Sequence, residues 1–130
     1  PAPTPGAARP AVLLVEDEPP VRHLLRRVLD AHGYRVLDAA DADGALRVFE
    51  AVPNVALAVV DVVMPGGGGP ALVERLRERK PDLKVLFISG YADQKPLPQA
   101  VGGEPFPFLA KPFSSESLLA KIREILSSRA

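Results

Sequence analysis

The sequence predicts an α/β protein built around a doubly wound, five-stranded parallel sheet. Short, continuously apolar segments alternate along the chain with segments in which apolar residues recur at helical spacing. Continuous apolar runs are typical of strands buried on both faces, and their alternation with helices favours parallel connections. The chain has 130 residues, 47% of them apolar and 25% charged, which suits one globular domain.

The first half of the chain contains three predicted strands and two predicted helices. In chain order these are a strand at Val12–Val15, a helix at Val21–Ala31, a strand at Tyr34–Ala39, a helix from a cap at Asp41 to about Ala51, and a strand at Leu57–Val60. Pro19 and Pro20 suit the start of the first helix, and Gly33 suits its end.

The second half begins with a loop, because the segment MPGGGGP is rich in turn residues. The elements that follow are a helix at about Pro70–Lys80, a strand at Leu83–Ser89, a strand at Phe106–Ala110, and a last helix capped by Ser114 or Ser115. A fourth helix between these two strands is expected to be short or irregular. Its segment, Tyr91–Pro105, carries several prolines and glycines, and a proline inside a helix costs roughly 3 kcal/mol.

Five strands in this arrangement fit the flavodoxin-like plan, with sheet order 2-1-3-4-5. Ligands of such sheets bind beyond the carboxyl ends of the strands. The polar residues expected at those ends are Glu16 and Asp17 after strand one, Asp61 after strand three, Ser89 at the end of strand four, and Lys111 after strand five.

These side chains predict a site that binds a divalent metal ion and accommodates a phosphoryl group. Three carboxylates in one crevice repel one another unless a cation is present, and carboxylate oxygens suit Mg²⁺ or Mn²⁺. A lysine beside them balances an added phosphoryl group, and a serine hydroxyl can donate a hydrogen bond to it.

Four motifs of the chain together resemble the response-regulator receiver domain of two-component signalling, a CheY-like domain. They are VEDE at Val15–Glu18, VVDVVMPGGGG at Val59–Gly69, FISG at Phe87–Gly90 and FLAKPF at Phe108–Phe113. The resemblance covers about Ala11 to Ser128, which predicts a receiver domain over residues 11–130. Residues 1–10, PAPTPGAARP, are interpreted as a linker.

The resemblance implies a phosphoacceptor and a set of metal ligands. Asp61 accepts a phosphoryl group from a phosphohistidine of a histidine kinase or a histidine phosphotransfer domain. Asp17 binds Mg²⁺ directly, Glu16 binds it through water, and the backbone carbonyl of Val63 is a third protein ligand. The domain catalyses only its own phosphorylation and dephosphorylation. Val63 stands where the family often has a polar side chain that tunes dephosphorylation.

The resemblance also implies residues that respond to the phosphoryl group. The Ser89 hydroxyl moves toward the phosphoryl group, and Lys111 pairs with that group. The peptide bond from Lys111 to Pro112 is expected to be cis. Phe108 occupies the position of the aromatic switch, without the hydroxyl of the common tyrosine, and is also expected to belong mostly to the core.

Composition excludes several other classes. Lys plus Arg and Asp plus Glu number 16 each, which argues against a direct nucleic-acid partner. No apolar run approaches the ~18–20 residues that span a bilayer, so no membrane contact is expected. The absence of cysteine suits the cytoplasm. The sequence indicates no particular oligomeric state.

Three alternative functions make different demands on the same residues. The proline-rich lead-in, and the chain's end after the last helix, favour the C-terminal receiver of a hybrid sensor histidine kinase over a free-standing or DNA-binding response regulator. A phosphohydrolase of the haloacid-dehalogenase type needs a second aspartate where this chain has Val63. A flavodoxin-like FMN binder needs a hydroxyl-rich loop, whereas EDEPP is anionic.

Overall fold

The computed structural model of the chain describes residues 10–52, 54–63, 68–89 and 107–127. The elements are β1 (Ala11–Val15), α1 (Pro19–Ala31), β2 (Arg35–Ala39), α2 (Ala42–Ala51), β3 (Val55–Asp61), α3 (Gly68–Arg79), β4 (Lys84–Ser89), β5 (Phe108–Ala110) and α4 (Ser115–Ser127). The strands form one parallel sheet in the order β2-β1-β3-β4-β5, which confirms the predicted fold class. The predicted linker and the irregular helix at 91–105 lie outside the described residues.

Apolar side chains on both faces of the sheet form the core. Along β1, Leu13 and Val15 pack in a cluster with residues of α2 and α3, whereas Val12 and Leu14 pack in a second cluster with residues of α1 and α4. Successive residues of a strand point to opposite faces, so a continuous apolar run supplies both clusters. The central strands are therefore buried, and the chemistry is confined to the edge where they end.

Helix ends follow the local signals in the sequence. Gly33 follows α1 with a φ of 90°, a left-handed conformation that glycine adopts without steric cost. The side chain of Asp41 accepts a 2.7 Å hydrogen bond from the amide of Gly44, and Ser114 Oγ accepts a 3.0 Å bond from the amide of Ser117. These two caps confirm the predicted starts of α2 and α4.

The start of α3 differs from the prediction, because Gly68 and Gly69 belong to its first turn rather than to a loop. The amide of Gly69 donates a 2.9 Å hydrogen bond to the carbonyl of Val62, so the helix begins against the end of β3. A Cβ on Gly69 would collide with the carbonyl oxygen of Asp61. Gly68 has a φ of 87°. The two glycines thus allow the helix to approach the strand closely.

The last strand is shorter than predicted, and the predicted burial of Phe108 is corrected. β5 has three residues, and Pro107, which has no amide hydrogen, contributes only its carbonyl as acceptor for the amide of Phe87. Leu109 packs against the core, and the period of two places Phe108 on the opposite face. Phe108 is 46% exposed, so the expectation that it belongs mostly to the core was wrong.

Candidate functional site

The parallel pairings bring the predicted site residues to one edge of the sheet. Val15 pairs with Val60, so Glu16 and Asp61 follow neighbouring positions on β1 and β3. Ser89 ends β4 and pairs with Ala110, the residue before Lys111. The Ser89 side chain lies outside the described atoms.

Lys111 connects two buried carboxylates. Its Nζ lies 2.8 Å from Oε1 of Glu16 and 3.1 Å from Oδ2 of Asp61. Glu16 is 0% exposed and Asp61 is 4% exposed. Burial lowers the pKa of Lys111, but the hydrogen bonds and charges of Glu16 and Asp61 outweigh it, and the pKa is raised overall. Lys111 is therefore held as a cation at this edge. The bond from Lys111 to Pro112 is cis, as expected.

Every polar group of Glu16 has a partner. Its amide donates to the carbonyl of Ala39 at 3.1 Å, and its own carbonyl accepts from Nη1 of Arg22 at 2.9 Å. Oε2 accepts a 3.1 Å bond from the amide of Glu18, while Oε1 accepts the bond from Lys111. A fully buried carboxylate is tolerated because it is satisfied in this way. Glu16 is consequently fixed in orientation.

Asp61 is also held at both carboxylate oxygens. Oδ1 accepts a 3.1 Å bond from the amide of Val63, and Oδ2 accepts from Lys111. The strand itself is anchored just beyond Asp61, where the amide of Val62 donates to the carbonyl of Ile88 at 2.9 Å. Val63, whose amide makes the first of these bonds, is 54% exposed. Asp61 thus presents an oriented carboxylate near the protein surface.

An acidic cluster adjoins this pair. Glu16, Asp17 and Glu18 each place a carboxylate oxygen within 4.8 Å of the others. Glu16 is buried, whereas Asp17 and Glu18 are accessible to solvent. Hard oxygen donors at the carboxyl end of a strand fit a divalent cation such as Mg²⁺. The cluster includes Glu18, which was not among the predicted ligands.

Arg22 is a second residue that the predicted site omitted. It lies in the first turn of α1, and its Nε is 3.4 Å from Oδ2 of Asp38 on β2 while its Nη1 holds the carbonyl of Glu16. The sequence offers only a weak signal for this role, since arginines are common on exposed helices. Only the placement of α1 against β2 reveals it.

A parallel sheet in this order, with a lysine and buried carboxylates at its carboxyl edge, defines an α/β module suited to bind a cation and a phosphoryl group. The sequence profile described as "Response regulator receiver domain" matches residues 12–123. The chain belongs to this family, as its motifs predicted. In the described part of the chain, no helix is both long and apolar enough to cross a bilayer.

Curated relatives include a sensor kinase and several regulators. The chain is 41% identical over 119 residues to "Sensor kinase CckA" of Brucella abortus, covering 91% of this chain and 13% of the relative. It is 37% identical over 125 residues to the transcriptional regulatory protein DctD of Pseudomonas aeruginosa, covering 96% of this chain and 27% of that protein. The chain thus spans only a small part of these relatives. The receiver protein CpdR of Brucella abortus is 32% identical over 115 residues, covering 88% of this chain and 95% of CpdR.

Solved structures agree with this assignment. A CheY-like receiver domain protein from Methanospirillum hungatei superposes with a TM-score of 0.82 at 27% identity, covering 92% of this chain and 95% of that one. The receiver domain of the hybrid histidine kinase CckA gives a TM-score of 0.74 at 34% identity, covering 89% of this chain and 98% of that one. The similarity to these two structures therefore extends over about nine tenths of the chain.

Proposed function

We propose that this receiver domain accepts a phosphoryl group on Asp61 from a phosphohistidine of a histidine kinase or a histidine phosphotransfer domain. The observation that carries the proposal is the position of Lys111, whose ammonium lies 3.1 Å from Asp61 and 2.8 Å from Glu16. A cation held against an oriented carboxylate favours the addition of a dianionic group there.

The transfer is an in-line displacement. One carboxylate oxygen of Asp61 forms a bond to phosphorus, the phosphorus–nitrogen bond of the phosphohistidine breaks, and the departing imidazole nitrogen keeps the electron pair. The amide of Val63 and the ammonium of Lys111 orient Asp61 before the reaction. Lys111 keeps its proton, because its pKa is raised, and balances the added negative charge.

A divalent cation completes this site in the proposal. Asp17 and Glu16, together with Asp61 and the backbone carbonyl of Val63, would hold Mg²⁺ or Mn²⁺. The acidic cluster and its oxygen donors fit such an ion. When bound, the ion offsets the negative charge that develops on the phosphoryl oxygens. Both carboxylate oxygens of Glu16 already accept hydrogen bonds from protein donors. This supports a contact between Glu16 and the ion that passes through a water molecule.

Ser89 and Phe108 are proposed to transmit the phosphorylated state. The Ser89 hydroxyl would donate a hydrogen bond to the phosphoryl group and draw the end of β4 toward it. Phe108 lies beside β4 on the neighbouring strand, and its half-exposed ring has room to change rotamer. A partner that recognises this edge would then distinguish the two states.

We place the domain in a hybrid sensor histidine kinase, acting in the cytoplasm. The 41% identity to the sensor kinase CckA supports this context. The second candidate is the receiver of a separate response regulator, which the 37% identity to DctD favours. The reading frame around this segment decides between them: a kinase core upstream in the same frame supports the first, and a DNA-binding output segment downstream supports the second.

The test of the proposed phosphoacceptor is intact mass after incubation with a small-molecule phosphodonor. Wild type is expected to gain one phosphoryl group only when Mg²⁺ is present, and Asp61→Asn is expected to gain none. The matched control is Asp43→Asn, which removes an exposed acid on α2 and should behave as wild type. Equal gain by wild type and Asp61→Asn would show that another residue is the acceptor.

A further inference from the structure

Arg22 connects helix α1 to the acidic cluster. Its Nη1 donates a 2.9 Å hydrogen bond to the carbonyl oxygen of Glu16, and its Nε lies 3.4 Å from Oδ2 of Asp38. The Arg22 side chain is 15% exposed and that of Asp38 is 21% exposed, so the contacts are partly shielded from water. One guanidinium therefore spans from the strand end of β1 to β2.

We propose that Arg22 is a positioning residue for the metal-binding acids, oriented by Asp38. The proposal rests on the proposed metal site and adds a residue outside the ligand set. The carbonyl of Glu16 belongs to the planar peptide that joins Glu16 to Asp17. The hydrogen bond to this oxygen fixes the orientation of that peptide plane. The plane in turn sets the direction in which the backbone continues into Asp17, the expected direct ligand. Arg22 thus acts on Asp17 through the backbone.

The geometry explains why this position suits an arginine. The amide of Glu16 still pairs with Ala39 of β2, but its carbonyl lies beyond the last residue of β1 and needs another donor. A guanidinium presents several donors in a fixed plane, so it serves the carbonyl and the carboxylate of Asp38 together. A lysine ammonium has a single nitrogen and holds both contacts less well.

Charge and position make opposite predictions, which makes the proposal testable. A cation near three carboxylates weakens the binding of another cation. If charge were the only effect, removing Arg22 would therefore tighten Mg²⁺ binding. Loss of positioning would weaken it instead. Mutation of groups that orient metal ligands typically reduces affinity about tenfold or more.

Arg26 provides the matched control. It lies one turn further along α1, with Nη1 2.8 Å from Oδ1 of Asp38 and Nε 3.7 Å from Oδ2 of Asp30. Its replacement removes one positive charge from the same ion-pair group and leaves the bond from Arg22 to Glu16 in place. Arg26→Ala therefore reports the effect of charge and of general stability.

The experiment measures the Kd for Mg²⁺ of the folded protein by titration calorimetry, and its unfolding by urea in a metal chelator. Arg22→Ala is expected to raise the Kd about tenfold, and Arg22→Lys about threefold. Arg26→Ala is expected to stay within about twofold of wild type. Both alanine variants are expected to lose stability, because each loses an ion pair with Asp38, so stability alone does not distinguish them.

A Kd of Arg22→Ala equal to or below that of wild type overturns the proposal. If Arg22→Ala does not fold, Arg22→Lys decides, and an unchanged Kd overturns it. If wild type itself binds no Mg²⁺, the proposed metal site is wrong and the positioning role falls with it. If wild type binds Mg²⁺ and the Arg22 variants bind it with the same Kd, the metal site stands and the positioning role alone is rejected.

Discussion

Lys111 and Asp61 are 50 positions apart in the sequence, yet the ammonium of one lies 3.1 Å from the carboxylate of the other. The same ammonium lies 2.8 Å from Glu16. One cation therefore serves two buried carboxylates, and this edge of the sheet keeps a net negative charge. Added positive charge is favoured there, and a phosphoryl group on Asp61 would compete with Glu16 for Lys111.

Replacing Lys111 by methionine leaves the buried carboxylate of Glu16 without its charged partner. Breaking a buried pair in this way is strongly destabilising, although partial exposure of Lys111 reduces the effect. We expect a loss of roughly 2 kcal/mol in the free energy of unfolding, measured by urea in a metal chelator. Mg²⁺ is expected to restore more stability to this variant than to wild type.

The control for this variant is Lys121→Met. Lys121 pairs with Glu124 at 3.7 Å on the surface of α4, where such pairs contribute little. Its stability is expected to stay within about 0.5 kcal/mol of wild type. Equal stability of Lys111→Met and wild type in chelator would mean that Lys111 does not neutralise the buried carboxylates.

The raised pKa of Lys111 predicts a loss of stability at alkaline pH. Its ordinary value is 10.5, and the folded state holds the proton more tightly than the unfolded state. The contribution is fully present below pH 10.5 and is lost as the pH rises through the higher folded value. Urea unfolding across this range should show a steeper decline for wild type than for Lys111→Met. The two proteins differ only at Lys111, so parallel curves would contradict the assignment.

Gly69→Ala is expected to destabilise the domain by about 3 kcal/mol, because its Cβ would collide with the carbonyl oxygen of Asp61. The strand end that carries Asp61 would have to move, so phosphorylation should fall as well. Gly44→Ala is the control, since its Cβ would meet Oδ1 of Asp41 at 3.1 Å. The gain in helix propensity, up to about 1 kcal/mol, offsets that crowding. Similar losses for both variants in thermal unfolding would reject the close approach as the cause.

The sequence predicts the meeting of Glu16, Asp61 and Lys111 because a simple rule governs it. Apolar runs mark the strands, and the carboxyl ends of parallel strands share one edge. The residue after each run is therefore placed without knowledge of side-chain conformations. The caps depend on local hydrogen bonds, so the sequence predicts Asp41 directly and narrows the cap of the last helix to Ser114 or Ser115, of which the structure uses Ser114.

Features that depend on packing between distant segments were not predicted. The bond from Arg22 to Glu16 requires the position of α1 against β2, which helical periodicity does not specify. The composition around Gly68 and Gly69 predicts a loop, but the approach of α3 to β3 places both residues in a helix. The aromatic side chain of Phe108 predicts a core position, yet Phe108 is exposed on a three-residue edge strand.

Val63 offers a separate test of how long the phosphorylated state lasts. Its amide holds Asp61, while the residue is 54% exposed and its apolar side chain can offer no hydrogen bond to an attacking water. Val63→Asn keeps the amide and supplies a polar group, so hydrolysis of the aspartyl phosphate should accelerate by roughly threefold to tenfold, a barrier change of up to about 1.4 kcal/mol. The decline of the phosphorylated mass after donor removal measures this rate.

Val63→Ile, which stays apolar, is the control, and its aspartyl phosphate should hydrolyse as slowly as that of wild type. Because the expected metal ligand is the backbone carbonyl, the Kd for Mg²⁺ should change little in either variant. Equal hydrolysis rates for the two variants would show that the exposed side chain does not control access of water to Asp61.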